Sequence, residues 1–247
     1  MPSLVGRDVM ESDIPLIPSH VAGLDAALGG GFPQGAIVLV AGTPGTMKSS
    51  LIYNIMYHNA KAGRRGLYIT LEQTTESLKT AMDRMGYEPL DEGKLYILDL
   101  GVLRTSLKKA EATKDWVGII VDIVREAVAA NGYQILALDS MEALYALANF
   151  EVPRRDLFQL YAALRELGLT TFLVAETPIG SSKLTLYGED FLADGILHLR
   201  HVEVGETDVQ LRLRCVKMRM MHHVHNSLAL SHGDDGFAVT HILARKK

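Results

Sequence analysis

The stretch Ala41-Gly42-Thr43-Pro44-Gly45-Thr46-Met47-Lys48-Ser49-Ser50 follows a continuous apolar run, Ala36–Ala41, and opens a helical pattern, Ser49–Ala62. In that context backbone N–H groups curl around an anion, and the helix N-terminus adds partial positive charge. Gly42 to Ser50 are therefore expected to hold phosphates, with Lys48 reaching the β- and γ-phosphates and the Ser49 hydroxyl taking a place on Mg²⁺. The usual spacing G-x-x-x-x-G-K-[ST] has a second glycine where this chain has Met47. A side chain must then fit where the backbone approaches phosphate closely, which puts nucleotide binding ahead of fast hydrolysis. The competing reading is a glycine-rich turn with an incidental lysine; the flanking strand and helix favour the phosphate loop.

Further strands surround this one. Leu67–Leu71, Leu95–Leu98, Ile135–Leu138 and Thr171–Ala175 are continuous apolar runs, not alternating ones, as expected of strands buried on both faces of a parallel sheet. Helical patterns lie between them: Thr75–Met85, Val117–Ala130 and Arg154–Leu167. The alternation predicts an α/β fold with right-handed crossovers. Gly195–Val202, Asp208–Met218 and Gly236–Leu243 read as antiparallel strands extending the sheet at one edge. Gly101–Asp115 is polar and reads as a surface loop or short helix. One domain is expected over 1–247, with its core at about 14–243.

Three acidic residues stand at strand ends. Asp139 follows Ile135–Leu138, where a phosphate-loop enzyme holds the water shell of its Mg²⁺. Glu72 follows Leu67–Leu71 and could polarise an attacking water beside the γ-phosphate; alternatively Glu72-Gln73-Thr74 opens the next helix, with Thr74 or Thr75 as cap. Glu176, after Thr171–Ala175, could couple a γ-phosphate to the loop Thr177–Asp190, or simply cap that loop.

Composition excludes several classes. The chain has 247 residues, 25 Lys plus Arg and 29 Asp plus Glu, for a net charge of −4, which does not suit bulk coating of nucleic acid. Its one cysteine, Cys215, can form neither an internal disulfide nor a cysteine zinc site alone. Met1–Met10 has no apolar core and Ala36–Gly42 is too short to span a bilayer, so a cytoplasmic protein is expected.

These residues, with Gly23-Leu24-Asp25, Gly29-Gly30-Gly31 and Gly35 ahead of the loop and Lys217-Met218-Arg219 near the end, resemble the RecA/RadA-like ATPases, and among them the KaiC-like branch. The resemblance runs from about Ile14 to Leu243. It implies a RecA-like P-loop fold with a mostly parallel central sheet, flanking helices and C-terminal antiparallel strands. It also implies a hexameric ring with ATP or ADP and Mg²⁺ between subunits. Gly42, Thr43, Pro44, Gly45, Thr46, Met47, Lys48, Ser49 and Ser50 would bind nucleotide, and Ser49 and Asp139 the metal. Glu72 matches the first of a pair of catalytic glutamates; Gln73 stands at the second.

Lys217 and Arg219 match a K-x-R element that reaches the γ-phosphate from the adjacent subunit. Met218, Met221, His223 and Asp234 fall at positions lining that neighbour's side, and Met220 replaces the glycine of K-x-R-G. On a strand, positions 217 and 219 share a face, so two cations project together. The alternative is a solvated basic edge that blocks aggregation. The family's autophosphorylated Ser-Thr pair is absent; Gly188-Glu189-Asp190-Phe191 stands there.

Three functions compete. The first is a slow Mg²⁺-dependent ATPase acting as a regulatory switch in a ring, with an unidentified protein partner. The second is a RadA-like accessory factor contacting DNA through Ala143–Arg155 and Thr177–Asp190, where few cations are offered. The third is a non-hydrolysing ATP-binding scaffold, toward which Met47 and Gln73 point. His223 and His225 would share a strand face, but no third metal ligand is evident, so nucleotide contact and surface histidines are the plainer reading.

Overall fold

The computed structural model describes residues 14–101, 116–147, 153–178, 180 and 183–242. A short ribbon of β1 (Leu16–Ile17) and β2 (Phe32–Pro33) brackets helix α1 (Leu24–Ala27). Strand β3 (Ile37–Gly42) then leads into α2 (Lys48–Lys61). Next come β4 (Gly66–Thr70), α3 (Thr75–Arg84), β5 (Leu95–Asp99), α4 (Trp116–Asn131) and β6 (Ile135–Asp139). They are followed by α5 (Met141–Leu147), α6 (Pro153–Glu166) and β7 (Thr170–Glu176). A four-residue helix α7 (Glu189–Leu192) precedes β8 (Gly195–Val204), β9 (Asp208–Met218), β10 (Leu228–Gly233) and β11 (Gly236–His241).

The strands form a nine-stranded sheet in the order β11-β10-β9-β8-β3-β7-β6-β4-β5. From β8 through β5 every neighbour pair is parallel, as continuous apolar runs require. Strand β8 is the join: parallel to β3 on one side, antiparallel to β9 on the other. It was expected to be antiparallel throughout, and β10 was not anticipated. The expected loop at 101–115 lies, beyond Gly101, outside the described residues.

Alternate residues of β3 serve opposite faces. Val38 and Val40 pack with α2 in one core cluster; Ile37, Leu39 and Ala41 pack with α4, α5 and α6 in the other. No helix among the described residues is long and apolar enough to cross a membrane. Thr74 caps α3, its hydroxyl accepting from the Ser77 amide at 3.1 Å, which resolves the choice between Thr74 and Thr75.

Parallel pairing brings the carboxyl ends of β3, β4, β6 and β7 to one edge. Gly42 is level with Glu176, and Thr70 with Asp139. The opposite edge is set by β8 and β9: Val38 pairs with Gly195, and Gly195 with Met218.

Candidate active site

The phosphate loop is built as its sequence demands. A Cβ on Gly42 would lie 2.4 Å from the Leu199 carbonyl oxygen and 2.7 Å from Thr46 Oγ1, so only glycine fits. Gly45 takes φ 80°, in the left-handed region. The Thr46 hydroxyl, fully buried, donates to the Thr43 carbonyl at 2.7 Å and ties the loop across its base. Met47, at the N-cap of α2, takes φ 62° without a side-chain cap. The methionine is thus accommodated by adopting the conformation that glycine would supply more easily.

Lys48 is buried and bends back over the loop, its ammonium donating to the carbonyls of Gly42 at 2.9 Å and Thr43 at 3.1 Å. Burial pulls its pKa down, while Glu176, Glu142, Asp139 and Glu72 oppose that shift. A cavity of about 260 Å³ opens above it, lined by Pro44 to Ser49, Glu72, Asp139, Ser140, Val174 and Glu176. That is below the roughly 300–1,000 Å³ of a typical small-molecule pocket, so it suits a phosphate chain better than a whole nucleotide.

Asp139 accepts a hydrogen bond from the buried Tyr68 hydroxyl at 2.6 Å and is also hydrogen-bonded to Ser49. Burial raises its pKa above the usual carboxylate range, against the lowering effect of those two hydrogen bonds. The Ser49 hydroxyl and the Asp139 carboxylate are hard oxygen donors side by side at the cavity wall. Such a pair fits Mg²⁺, which binds through one or two protein oxygens plus water and phosphate.

Glu72 is exposed, and its Oε1 accepts from the Ser140 hydroxyl. Gln73 is held through its backbone: the Thr70 hydroxyl donates to its carbonyl at 2.8 Å and accepts from its amide at 3.2 Å. The Glu176 amide donates to the Glu142 carboxylate at 2.8 Å. Three participants had not been singled out. Tyr68 lay inside an apolar run, and Ser140 and Glu142 beyond the strand end. The one available signal was polar residues immediately after Asp139.

The residues near the C-terminus fall elsewhere. Lys217 donates to the carbonyls of Asp190, Phe191 and Ala193 at 3.2, 3.4 and 2.6 Å, so it caps the end of α7. Arg219 and Arg165 share the Asp194 carboxylate at 3.1 and 2.6 Å, and the Ile37 amide also donates to it at 3.0 Å. Burial raises the Asp194 pKa, but these partners outweigh it and hold the carboxyl below its usual range. Strand β9 ends at Met218 and Met220 takes φ 63°, so Arg219 sits in a turn and not on the strand face expected for it. Arg219 is level with Ile37, five residues from Gly42, or about 16 Å along β3.

The other expected nucleotide contacts do not form one group. Met218 is 4% exposed and packed in the core, so its side chain is withdrawn. Met221 lies against Gly29, and the segment is pinned to α1 by the Val224 amide on the Ala27 carbonyl at 2.8 Å. Both ring nitrogens of His223 are buried without a partner among the described residues. The His223–His225 segment is irregular, not a strand, and no group of metal-binding residues is found among the described ones. Asp234, exposed in the β10–β11 turn, is carried away from Lys217 because β10 runs antiparallel to β9.

A nine-stranded sheet with a phosphate loop after β3 and an acidic residue at the end of β6 defines a RecA-like P-loop nucleotide-binding protein. The family described as "ATPase: KaiC" matches residues 17–243, and the chain belongs to it. Similar proteins include a UPF0273 protein of Pyrobaculum aerophilum, 29% identical over 85% of this chain and 79% of that protein. The circadian clock protein KaiC3 of Synechocystis is 29% identical, over 81% of this chain but 39% of its own length. The chain therefore spans less than half of that clock protein. The crystal structure of a KaiC-like protein from Pyrococcus horikoshii superposes with a TM-score of 0.79 at 27% identity, covering 92% of this chain and 99% of that one.

Proposed function

We propose that the chain is a slow Mg²⁺-dependent ATPase that works as a nucleotide-dependent switch in a ring of identical subunits. The convergence of Lys48, Ser49, Asp139 and Glu72 on one phosphate-sized cavity carries this reading. In it, Lys48 leaves the carbonyls of Gly42 and Thr43 for the β- and γ-phosphates. Ser49 and Asp139 would hold Mg²⁺, whose charge would stabilise the phosphate oxygens. Glu72, held by Ser140, orients the attacking water.

Two features support completion of the site by a neighbour. The cavity is too small for the base and ribose, and Arg219 lies at the other end of β3. Lys217 and Arg219 would then act on the adjacent subunit's γ-phosphate, where a trans cation can be worth about 10³–10⁵ in turnover.

The test is light scattering with and without Mg²⁺-ATP, with released phosphate followed in the same samples. A ring that forms with nucleotide, with hydrolysis lost in Lys48→Ala, is the expected result. A monomer that binds ATP without assembly or product would overturn the ring and the trans roles. Assembly without hydrolysis would leave the scaffold reading.

A further inference from the structure

A second, larger cavity lies on the sheet face opposite α2. It is about 840 Å³, a size that accommodates a nucleotide-sized molecule, and shares no lining residue with the phosphate cavity. One wall is the 183–191 segment, with Leu184, Leu186 and Phe191; the other is the face of β8 and β9. Leu186 and Phe191 are 50% and 71% exposed, so large apolar surface faces the opening.

The strand wall is basic. His198 stands directly opposite Arg214, and Arg200 directly opposite Arg212, on one face of the β8–β9 ladder. Arg200 and Arg212 are like charges in register, which is destabilising, so this pair costs the fold and calls for compensation. Among the described residues none of Arg200, Arg212 and Arg214 pairs with a carboxylate. Arg214 spends its Nε on the His225 carbonyl at 3.0 Å and Arg212 its Nε on Gln210 at 2.9 Å, which fixes both guanidinium groups. Arg200 and Arg214 line the cavity, as does Lys183, and the one lining carboxylate among the described residues, Asp190, already accepts from Thr185 at 3.2 Å. Burial and the two arginines together push His198 toward its neutral form. The same field favours an anion.

We propose that this cavity is a second ligand site, for a small organic phosphate with a flat apolar body. The phosphate sits between Arg200 and Arg214, where a guanidinium fork matches its oxygens. The body lies against Leu186 and Phe191. A nucleoside monophosphate has this chemistry. A bounded cavity with one basic wall and one apolar wall fits such a molecule better than a long polyanion, which needs cations along an open track.

Pyridoxal 5′-phosphate is the probe. Its aldehyde condenses with a lysine amine to an imine, releasing water, and borohydride reduces the imine to a stable secondary amine. Peptide mapping then reads Lys183, with exposed Lys94 as control and Lys48 as report on the intact phosphate loop. Labelling of Lys183 is expected to exceed that of Lys94 by about tenfold, and to fall to the Lys94 level in the Arg200→Gln/Arg214→Gln double variant. Adenosine monophosphate should protect Lys183. Unchanged Lys48 labelling and an unchanged melting curve would show that the double variant is folded. Three outcomes overturn the proposal: equal labelling by pyridoxal without its phosphate, labelling indifferent to the two arginines, or protection by single-stranded oligonucleotide but not by the monophosphate. The last would make this face a nucleic-acid groove.

Discussion

Met47 and Met220 hold the same left-handed backbone, φ 62° and 63°, at the two places where the phosphate-loop and K-x-R-G patterns carry glycine. One starts α2 above the phosphate cavity; the other ends β9 beside Arg219. A side chain in this region is strained by contact between Cβ and the carbonyl oxygen. Met220 is 70% exposed, so it has little packing to lose. Met220→Gly should raise stability by about 0.5–1 kcal/mol, read as a higher denaturant midpoint at unchanged slope. Met47 is partly buried against the core, and Met47→Gly should gain less because apolar contact is lost. No gain at Met220 would show that its turn is not strained.

Asp139 should set function against stability. Its pKa is raised in the fold, so between the unfolded and folded values the native state binds more protons. Stability therefore falls as pH rises through that window and is regained on acidification. Asp139→Asn should melt higher than the parent at neutral pH and lose Mg²⁺-dependent nucleotide binding. Tyr68→Phe removes a hydrogen bond to the carboxylate, and should move the acid limb of nucleotide binding to higher pH. Coincident acid limbs in parent and variant would remove Asp139 from that role.

Asp194 has the opposite sign. Its pKa is lowered, so its contribution is present above the unfolded carboxylate value and is lost as pH falls through the folded one. Arg165 and Arg219 are about half exposed, which discounts their share; the Ile37 amide is the buried partner. Asp194→Ala should cost about 2 kcal/mol at neutral pH, and the difference from the parent should shrink in acid. Equal stability at pH 7 would show the cluster to be incidental.

Glu189 is fully buried, accepts from the Tyr145 hydroxyl and takes the Tyr187 amide at 2.9 Å. It fixes α7, whose carbonyls hold Lys217. Glu189→Gln should lower stability by about 1–2 kcal/mol and lower turnover in assembled samples, with nucleotide affinity of the isolated chain unchanged. Loss of that affinity would place its effect in the phosphate loop instead.

The parallel core was legible because apolar continuity is a local property. Runs such as Ile37–Val40 cannot be solvated on either face, and the topology follows. The phosphate loop was legible for the same reason, since its chemistry lies in consecutive residues. Strand β10 was not: Leu228–Gly233 carries Ser231 and His232 within six residues and reads like the histidine-rich segment before it. Tyr68 and Ser140 could not be assigned, because their partners Asp139 and Glu72 are 71 and 68 residues away and meet only through the β4–β6 pairing. Arg219 was misplaced because a methionine gave no warning of the turn that ends β9.

Strand β3 gives the molecule a polarity. Its carboxyl end feeds the phosphate loop, and its amino end is tied through Asp194 to Arg219. A contact that seats the Arg219 end of one copy on the phosphate-loop end of the next uses two different patches, and each copy carries one of each. In the proposed ring such contacts repeat head to tail in one direction. Such an array either closes on itself or grows as a filament with one phosphate loop left without a neighbour. On the trans reading proposed above, closure would give every phosphate loop a neighbour's Lys217 and Arg219.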